Sequence, residues 1–244
     1  MERIQGRNPV MEAIKAEREI DSITIAKGAE GSIKKIVGMA KDRGILIKYA
    51  DKKKLDEMCE STNHQGVVAI VSEYGYYELD ELMEYCNNQE GSPFLIVLDG
   101  ITDPHNLGAI IRTVDAVGAH GVIIPKRRSV GITPVVVKSS AGAVEHVPVC
   151  RVSNIVNAIK ELKEHGLWIA ALDMDGDSVY RSNMTGPIAL VLGSEGKGIS
   201  RLVKENCDFA VKLPMEGKVS SLNASVAGGV IMYEVLRQRT LKEG

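Results

Sequence analysis

Hydrophobic and polar positions in the first 73 residues follow the periods of short strands and helices in alternation. Residues 20–26 alternate between apolar and polar side chains, which is typical of a half-buried strand. The β-branched run at 67–72 predicts a strand that is buried on both faces. This part of the chain is therefore expected to form a small α/β domain. The predicted strands cover residues 20–26, 45–50 and 67–72, and the predicted helices cover residues 8–17, 32–43 and 52–60.

From Phe94 onward the hydrophobic pattern becomes stronger. The continuous apolar run 94–98 is typical of a parallel strand covered by helices on both faces. Repeated strand–helix units then continue for about 150 residues, which predicts a doubly wound parallel sheet. The predicted strands cover residues 94–98, 122–125, 168–172, 188–192 and 211–213, and the predicted helices cover 106–117, 135–143, 154–165 and 222–237.

The segment 74–91 separates these two parts and has no basic residue among its five acidic ones. Leu79, Leu82 and Met83 are spaced as on one face of a short amphipathic helix. We interpret the segment as an acidic linker or docking helix. The expected domains are residues 1–73, the linker 74–91, and residues 92–244.

Composition narrows the class of protein. Hydrophobic residues make up 44% and aromatic residues only 4% of the chain, so the core must rest on aliphatic side chains. The net charge is −2, but the acidity is concentrated in the linker and both flanking parts are slightly basic. This distribution permits RNA binding through local patches and argues against bulk electrostatic capture.

The cysteines suggest a reducing compartment. Cys59, Cys86, Cys150 and Cys207 are scattered without CxxC spacing, which favours reduced thiols over a disulfide framework or a zinc site. No apolar leader or membrane-length run is present in the sequence. We therefore expect a cytoplasmic protein without a metal or a membrane partner.

Three unusual segments follow predicted strands. Residues 98–113 read LDGITDPHNLGAIIRT, residues 190–200 read LVLGSEGKGIS, and residues 213–227 read LPMEGKVSSLNASVA. Ligands of open α/β sheets bind beyond the carboxyl ends of the strands, so one shared site is expected. The glycines of the second segment are spaced GxxGxG, which excludes both the dinucleotide fingerprint and the P-loop.

Each segment taken alone also has a purely structural interpretation. Asn106 can be a helix cap and Arg112 a solvated side chain, because a helix turns them about 120° apart. Glu195 can lie exposed in a tight turn. Ser220 or Ser221 can be the cap of the last helix.

Together the three segments resemble the three motifs of the SpoU (TrmH) family of RNA ribose methyltransferases, within the SPOUT class. The resemblance covers residues 94–239. GRNPV at 6–10 and HQGV at 64–67 are similar to the RlmB-like branch, which methylates a guanosine of large-subunit (23S) ribosomal RNA. The resemblance implies a C-terminal domain with a deep trefoil knot and a homodimer. It also implies that the first domain has an RNA-binding, ribosomal-protein-like fold.

The resemblance also implies the site and its cofactor, S-adenosylmethionine. The reaction would move a methyl group from this donor to a ribose 2′-hydroxyl. Arg112 matches the residue that activates the hydroxyl, and we expect it to act as a cation, because guanidinium is effectively always protonated. Asn106 and Glu195 would orient Arg112 and the ribose. The catalytic set is completed by Ser221 and Asn223, and the donor would lie against Leu172, Gly193, Leu213, Ser221 and Leu222.

Residues expected to bind RNA lie in both domains. Arg7 and Asn8 belong to the branch-like signature, and His64 either contacts RNA or caps a turn. Arg127 and Arg128 form either a phosphate clamp or a solvated turn. The run 52–54 of three lysines is interpreted as a solvated face, with RNA contact as the alternative.

Other functions remain open at this stage. The protein could methylate transfer RNA, or it could be an inactive RNA-binding assembly factor. A nicotinamide-dependent dehydrogenase would also use a doubly wound sheet, but the missing GxGxxG spacing speaks against it.

Overall fold

A computed structural model describes residues 2–16, 18, 20–59, 63–71, 74–218 and 221–242. The chain divides into two compact units. The first contains residues 1–75 together with 132–146, and the second contains residues 76–131 and 147–244.

The first unit is built on a four-stranded mixed sheet with the order β1-β4-β2-β3. β2 and β3 are parallel, and β4 runs antiparallel to β1 and β2. The first strand was not predicted, because its four residues carry no clear alternation, and only pairing with β4 makes them a strand. The elements are β1 (Glu2–Gln5), α1 (Arg7–Lys15), β2 (Ile20–Ala26), α2 (Ile33–Asp42), β3 (Leu46–Ala50), α3 (Lys52–Met58) and β4 (Val67–Val71).

Residues 132–146 group with the first unit, although the expected boundaries put them in the second domain. They contain α6 (Pro134–Ser139) and a 3-10 turn. Arg18 and Glu145 form an ion pair of 2.9 Å, and their side chains are only 8% and 4% exposed. His146 Nε2 lies 2.7 Å from Glu12 Oε2. Contacts between residues that are distant in the sequence therefore place this segment in the first unit. Hydrophobic periodicity could not predict these contacts.

The second unit contains a six-stranded sheet of order β10-β8-β9-β5-β6-β7, and every neighbouring pair is parallel. The predicted parallel α/β sheet is confirmed. β7 and α8 were not predicted. The elements are α4 (Leu79–Asn87), β5 (Phe94–Asp99), α5 (Pro104–Ala116), β6 (Gly121–Pro125), β7 (Val149–Val152), α7 (Ile155–Glu164), β8 (Trp168–Ser178), β9 (Ile188–Gly193), α8 (Arg201–Asn206), β10 (Phe209–Lys212) and α9 (Ala224–Lys242).

The segment expected to be a linker contains the packed helix α4. A capping box opens this helix, in which the Glu78 backbone N–H donates to Glu81 Oε2 over 2.9 Å. Leu82, Met83 and Cys86 are buried in the main core of the second unit. The acidic side chains face outward and the apolar ones inward, so the docking-helix interpretation describes this segment better than the linker interpretation.

Cysteine chemistry agrees with the expected reduced state. All four cysteines are free thiols. Burial raises the pKa of the Cys150 thiol to about 12 and that of Cys86 to about 11. No helix in the described part of the chain is long and apolar enough to cross a membrane. The trefoil knot remains a prediction of the resemblance.

Candidate active site

The three unusual segments meet at the carboxyl ends of three strands of the parallel sheet. The first follows β5, the second follows the adjacent strand β9, and the third follows β10 at the edge of the sheet. A cavity of about 720 Å³ opens at this end of the sheet. The structure therefore has a concave site where ligands of open α/β sheets are expected to bind, beyond the carboxyl ends of the parallel strands.

A hydrogen-bonded cluster joins one residue from each segment. Asn106 Nδ2 donates to Glu195 Oε1 over 3.0 Å, and Asn223 Nδ2 donates to Asn106 Oδ1 over 3.0 Å. Asn223 Nδ2 also donates to Glu195 Oε1. Asn106 is buried, whereas Glu195 and Asn223 line the cavity. The Glu195 carboxylate thus gathers two amide donors and holds the three segments in register.

Asn223 also begins the last helix. Its Oδ1 accepts hydrogen bonds from the backbone N–H groups of Ser225 and Val226, at 3.0 and 3.2 Å, and from the Ser225 hydroxyl at 2.6 Å. These are helix-capping bonds, so Asn223 is the cap of α9. Because its oxygen is committed to the helix, its amide nitrogen must point toward Glu195 and Asn106. Ser221 is therefore not the cap, and Ser220 lies outside the described residues.

The loop of the second segment folds tightly against the end of its own strand. Ser194 and Gly198 exchange two backbone hydrogen bonds of 2.9 and 3.2 Å. A Cβ at position 193 would lie 2.1 Å from the Gly198 carbonyl carbon, so only glycine fits there. The Ser200 backbone N–H donates to Asp99 Oδ2 over 2.7 Å, which fixes this loop to the first segment.

The cavity walls contain every residue that the resemblance assigned to the methyl donor. The lining combines apolar side chains with glycine backbone, and this composition suits a flat heterocycle. The sequence reasoning had no signal for Lys197 and Lys212, two exposed lysines that also line the cavity, or for Met215. The expected residues found there are Leu172, Gly193, Leu213, Ser221 and Leu222.

An ion-pair network stiffens the wall that follows Leu172. Lys204 Nζ lies 2.8 Å from Asp173 Oδ1 and 3.1 Å from Asp175 Oδ2. Partial burial raises the pKa of Asp173, but the Lys204 ammonium and the Asp175 backbone N–H outweigh it, so this pKa lies below its ordinary value. Asp173 is therefore ionised at neutral pH and serves as an anchor for the wall.

Arg112 does not join the cluster. It lies on α5, six residues or about 9 Å along the helix from Asn106, and it is exposed. It does not line the cavity, and within the described residues it forms no hydrogen bond or ion pair. The expectation that Asn106 and Glu195 orient it is not met within one chain, because these two side chains bond each other and Asn223 instead.

Arg127 and Arg128 stand in a turn beside the first segment. The turn follows β6, and the Val130 backbone N–H donates to Ile101 O over 3.0 Å. Both arginines are exposed and have no hydrogen-bond or ion-pair partner in the described part of the chain. Arg128 adopts a positive φ of 62°. The clamp and the solvated-turn interpretations both fit this exposure.

In the first unit, His64 has a structural role. Its side chain is 1% exposed, its Nε2 lies 3.0 Å from Asp56 Oδ1, and its Nδ1 accepts from the Gly66 N–H over 2.9 Å. A buried ring with both nitrogens engaged has no surface for RNA, so turn capping is its role. Arg7 is similarly occupied: its Nε donates to Gln65 O over 3.0 Å and its Nη1 to Ser32 Oγ over 3.3 Å. Asn8 is exposed.

One cluster outside the cavity combines side chains of metal-ligand type. Asp80, Glu161 and His165 each place a ligand atom within 4.8 Å of the others. Asp80 and His165 are exposed, and surface carboxylates commonly lie close together without binding an ion.

Comparison with known proteins identifies the family. The model of the SpoU rRNA methylase family matches residues 93–233, and the model of the RNA 2′-O ribose methyltransferase substrate-binding domain matches residues 3–77. YacO of Bacillus subtilis (strain 168), named for the TrmH family of tRNA/rRNA methyltransferases, is 51% identical over 237 residues, or 96% of this chain and 94% of the relative.

Solved structures give the same answer. The SpoU methyltransferase AviRb from Streptomyces viridochromogenes superposes with a TM-score of 0.84 at 26% identity, covering 99% of this chain and 90% of AviRb. Its complex with the cofactor AdoMet superposes with a TM-score of 0.82 at the same identity, covering 98% and 90%. The chain therefore belongs to the SpoU rRNA methylase (TrmH) family and is an RNA methyltransferase.

Proposed function

We propose that the protein transfers a methyl group from S-adenosylmethionine to a ribose 2′-hydroxyl of RNA, and that the acceptor is a guanosine of large-subunit ribosomal RNA. The observation that carries this proposal is the Asn106–Glu195–Asn223 cluster at the edge of the 720 Å³ cavity. It brings a residue from each motif to one point, next to a concave site of ligand size.

The residues of the cavity suit S-adenosylmethionine. Leu172, Leu213 and Leu222 offer apolar surface for the faces of an adenine ring, and backbone groups near Gly193 offer hydrogen bonds to its edge. Lys197 and Lys212 offer cations for a carboxylate. When bound, the donor supplies a methyl group on a sulfonium. The AdoMet complex of AviRb supports this assignment.

The protein's own groups then act on the ribose. The S–C bond of the donor would break as the new C–O bond forms, and the proton of the 2′-hydroxyl would pass to water. Glu195 Oε2 accepts no hydrogen bond within the described residues and is available to orient that hydroxyl. Arg112 stabilises the developing alkoxide and grips the adjacent phosphate through its planar fork.

The position of Arg112 supports a homodimer in which one subunit completes the site of the other. Arg112 lies outside the cavity of its own chain, and its side chain forms no hydrogen bond or ion pair with the described residues. The helix packed against α5 is α9, which exposes Val226, Val230 and Tyr233 by 51%, 41% and 53%. These three positions share one helix face, and a second copy of the chain would bury them.

The substrate assignment is supported by the domain organisation. The first unit matches the substrate-binding model of RNA 2′-O ribose methyltransferases and would capture RNA, with Asn8 as an exposed contact. Arg127 and Arg128 are exposed candidates for RNA contact in the second unit. Guanosine and large-subunit RNA rest on the signatures at 6–10 and 64–67. The free thiols fit a reducing cytoplasm, where this substrate is made.

The decisive test is methyl transfer with radiolabelled S-adenosylmethionine. Purified protein is incubated separately with unmodified large-subunit ribosomal RNA and with bulk transfer RNA, and the labelled ribose is mapped. Label on a ribosomal guanosine 2′-oxygen that is lost in Arg112→Ala is the expected result. Label only on transfer RNA would retain the chemistry and remove the ribosomal assignment. Absence of both label and donor binding would favour an inactive assembly factor.

A further inference from the structure

A second cavity, of about 550 Å³, lies in the same unit and is lined by both the first and the penultimate residue of β8. Trp168 is the first residue of this strand, and Leu172, in the wall of the large cavity, is four residues further on. A strand rises about 3.3 Å per residue, so about 13 Å of strand separates Trp168 from Leu172. The lining residues are Trp168, Asp177, Arg181, Ser182, Asn183, Gly186 and Phe209.

The cavity contains an unusual concentration of aromatic surface. The chain has one tryptophan and two phenylalanines, and this cavity includes the tryptophan and one phenylalanine. Phe209 pairs with Ala170, and Trp168 precedes Ala170 by two positions, so both aromatic side chains project from the same face of the sheet. Trp168 is nevertheless 61% exposed. An indole left open in a concave site is available for stacking.

Several polar groups around these rings have no partner among the described residues. Arg181 and Asp177 are exposed, and within the described residues neither side chain forms a hydrogen bond or an ion pair. Asn183 uses its Oδ1 to accept from the Thr185 N–H and hydroxyl, at 3.1 and 2.9 Å. Its Nδ2 donates to no described residue. The cavity therefore offers a cation, a carboxylate acceptor and an amide donor beside an aromatic face.

The wall that carries these groups is held rigidly by α9. Gln238 accepts from the Met184 N–H over 2.9 Å and donates to Ser182 O over 3.0 Å. Arg239 donates to Gly186 O over 2.8 Å. A loop that is fixed at three backbone positions, with the Asn183 amide nitrogen and the neighbouring Arg181 guanidinium left available, has the character of a preorganised binding site.

We propose that this cavity binds an unpaired nucleotide of the RNA substrate. The base stacks on Trp168, the Arg181 guanidinium contacts its phosphate, and Asp177 with Asn183 hydrogen-bonds the base edge. Aromatic stacking combined with an arginine is how proteins hold unstacked bases in single-stranded RNA. The carboxylate acceptor favours bases that carry an amino group, so adenine, guanine and cytosine should bind more tightly than uracil.

The inference rests on the proposed function, because it takes the bound RNA to be the methyl acceptor. Its test has an independent readout, since Trp168 is the sole tryptophan and its fluorescence reports on this cavity alone. Full-length protein is titrated with single-stranded 12-mers of adenylate and of uridylate, and with guanosine monophosphate. The expected result is saturable quenching by the adenylate 12-mer, with weaker binding of the uridylate 12-mer and of the mononucleotide.

Variants separate the cavity from general RNA affinity. Arg181→Ala should raise the Kd of the adenylate 12-mer about tenfold, as expected for one lost nucleotide contact. Trp168→Ala should raise the KM for RNA by a similar factor and leave kcat and donor affinity unchanged, whereas Trp168→Phe should retain most of the affinity. Tyr180→Ala is the matched control, because Tyr180 is 57% exposed in the same segment but does not line the cavity.

Three outcomes would overturn the proposal. The first is an unchanged KM for the RNA substrate in both Trp168→Ala and Arg181→Ala. That result would leave the proposed function intact. The second is an absence of quenching at concentrations where filter binding shows the 12-mer bound. The third is tight binding of guanosine monophosphate alone, which would assign the cavity to a free nucleotide. If no RNA is methylated but the adenylate 12-mer quenches Trp168 and binds Arg181→Ala more weakly, the nucleotide site is supported and only the proposed function fails.

Discussion

Asn106 and Glu195 lie 89 positions apart in the sequence, and a 3.0 Å hydrogen bond joins the Asn106 amide nitrogen to the Glu195 carboxylate. This bond links the loop after β5 to the loop after β9, two neighbouring parallel strands. Asn223 closes the cluster from the start of α9. The geometry of the cavity therefore depends on polar side chains that join the start of α5, the loop after β9 and the start of α9.

Removing the centre of this cluster should impair both stability and catalysis. Asn106→Ala leaves Glu195 Oε1 and Asn223 Nδ2 each without one partner, which should cost about 1–3 kcal/mol of unfolding free energy. The kcat for methyl transfer should fall by at least tenfold, because the loops lose their register. Urea unfolding and single-turnover kinetics measure the two effects. Asn157→Ala, an exposed asparagine on α7, is the control and should change neither.

The proposed action of Arg112 across subunits can be tested by complementation. Arg112→Ala alone should lower kcat by about 100- to 1,000-fold, as for a lost charge-stabilising donor. Arg112→Lys should remain impaired, because a lysine lacks the planar fork. Near-normal turnover in the lysine variant would exclude any role that needs the guanidinium.

Mixing Arg112→Ala with Asn223→Ala subunits distinguishes the two arrangements. If Arg112 serves the neighbouring subunit, each mixed dimer contains one intact site, and activity should recover to about one quarter of the wild-type value. If it serves its own chain, no site in the mixture is intact and activity should stay at the level of the single variants. Exchange of subunits is verified by native mass spectrometry.

The exposed face of α9 predicts the dimer surface. Val230→Glu places a charge in the middle of the stripe formed with Val226 and Tyr233, and it should convert the dimer to a monomer by light scattering. Methyl transfer should be lost with it, while donor binding should persist because the cavity lies within one chain. Leu202→Glu, on an equally exposed leucine of α8, is the control. A wild-type monomer would contradict the proposal.

If the turn after β6 contacts RNA, substitutions in this turn should change the salt dependence of RNA binding. Arg127→Ala and Arg128→Ala should each weaken RNA binding and reduce the slope of log K against log salt by about one. His64→Gln should destabilise the first unit without changing that slope, because the buried ring caps a turn. Lys160→Ala, an exposed lysine on α7, is the control. Equal slopes in all variants would assign the arginines to a solvated turn.

We expect His120 to account for a loss of folding stability at acidic pH. This residue is 7% exposed, and its Nδ1 accepts from the Phe94 N–H over 3.1 Å. Burial, followed by the nearby Arg239 charge, lowers the pKa of His120 below 6.5. The unfolded chain then binds more protons than the folded one below about pH 6.5, so stability should decline as the pH falls through that value toward the lower folded-state pKa.

Thermal unfolding at successive pH values measures this decline. His120→Gln should flatten the profile between about pH 6.5 and 5, where carboxylates have not yet titrated. His165→Gln, at an exposed histidine, should leave the wild-type profile unchanged. A slope that persists in His120→Gln would assign the acid sensitivity to another group.

Sequence periodicity predicted the α/β class and most element positions, because buried parallel strands must be continuously apolar whatever surrounds them. It failed for β1 and β7, which are four residues each, and too short to show a period. The resemblance named Gly193 and four other residues that line the cavity, because a turn at a strand end fixes its own backbone locally, but it gave no signal for Lys197, Lys212 or Met215. Gly193 illustrates this, since its own loop excludes a side chain there.

The tertiary structure alone decided how distant residues are used. His64 and Arg7 look like RNA ligands in the sequence, yet the folded chain engages both in hydrogen bonds to itself. Residues 132–146 join the first unit through the buried Arg18–Glu145 pair, a contact that no local pattern encodes. The cavity around Trp168 is likewise formed by residues that no local sequence pattern brings together. Periodicity depends on neighbours along the chain, whereas burial and pairing depend on which side chains the fold brings together from far apart.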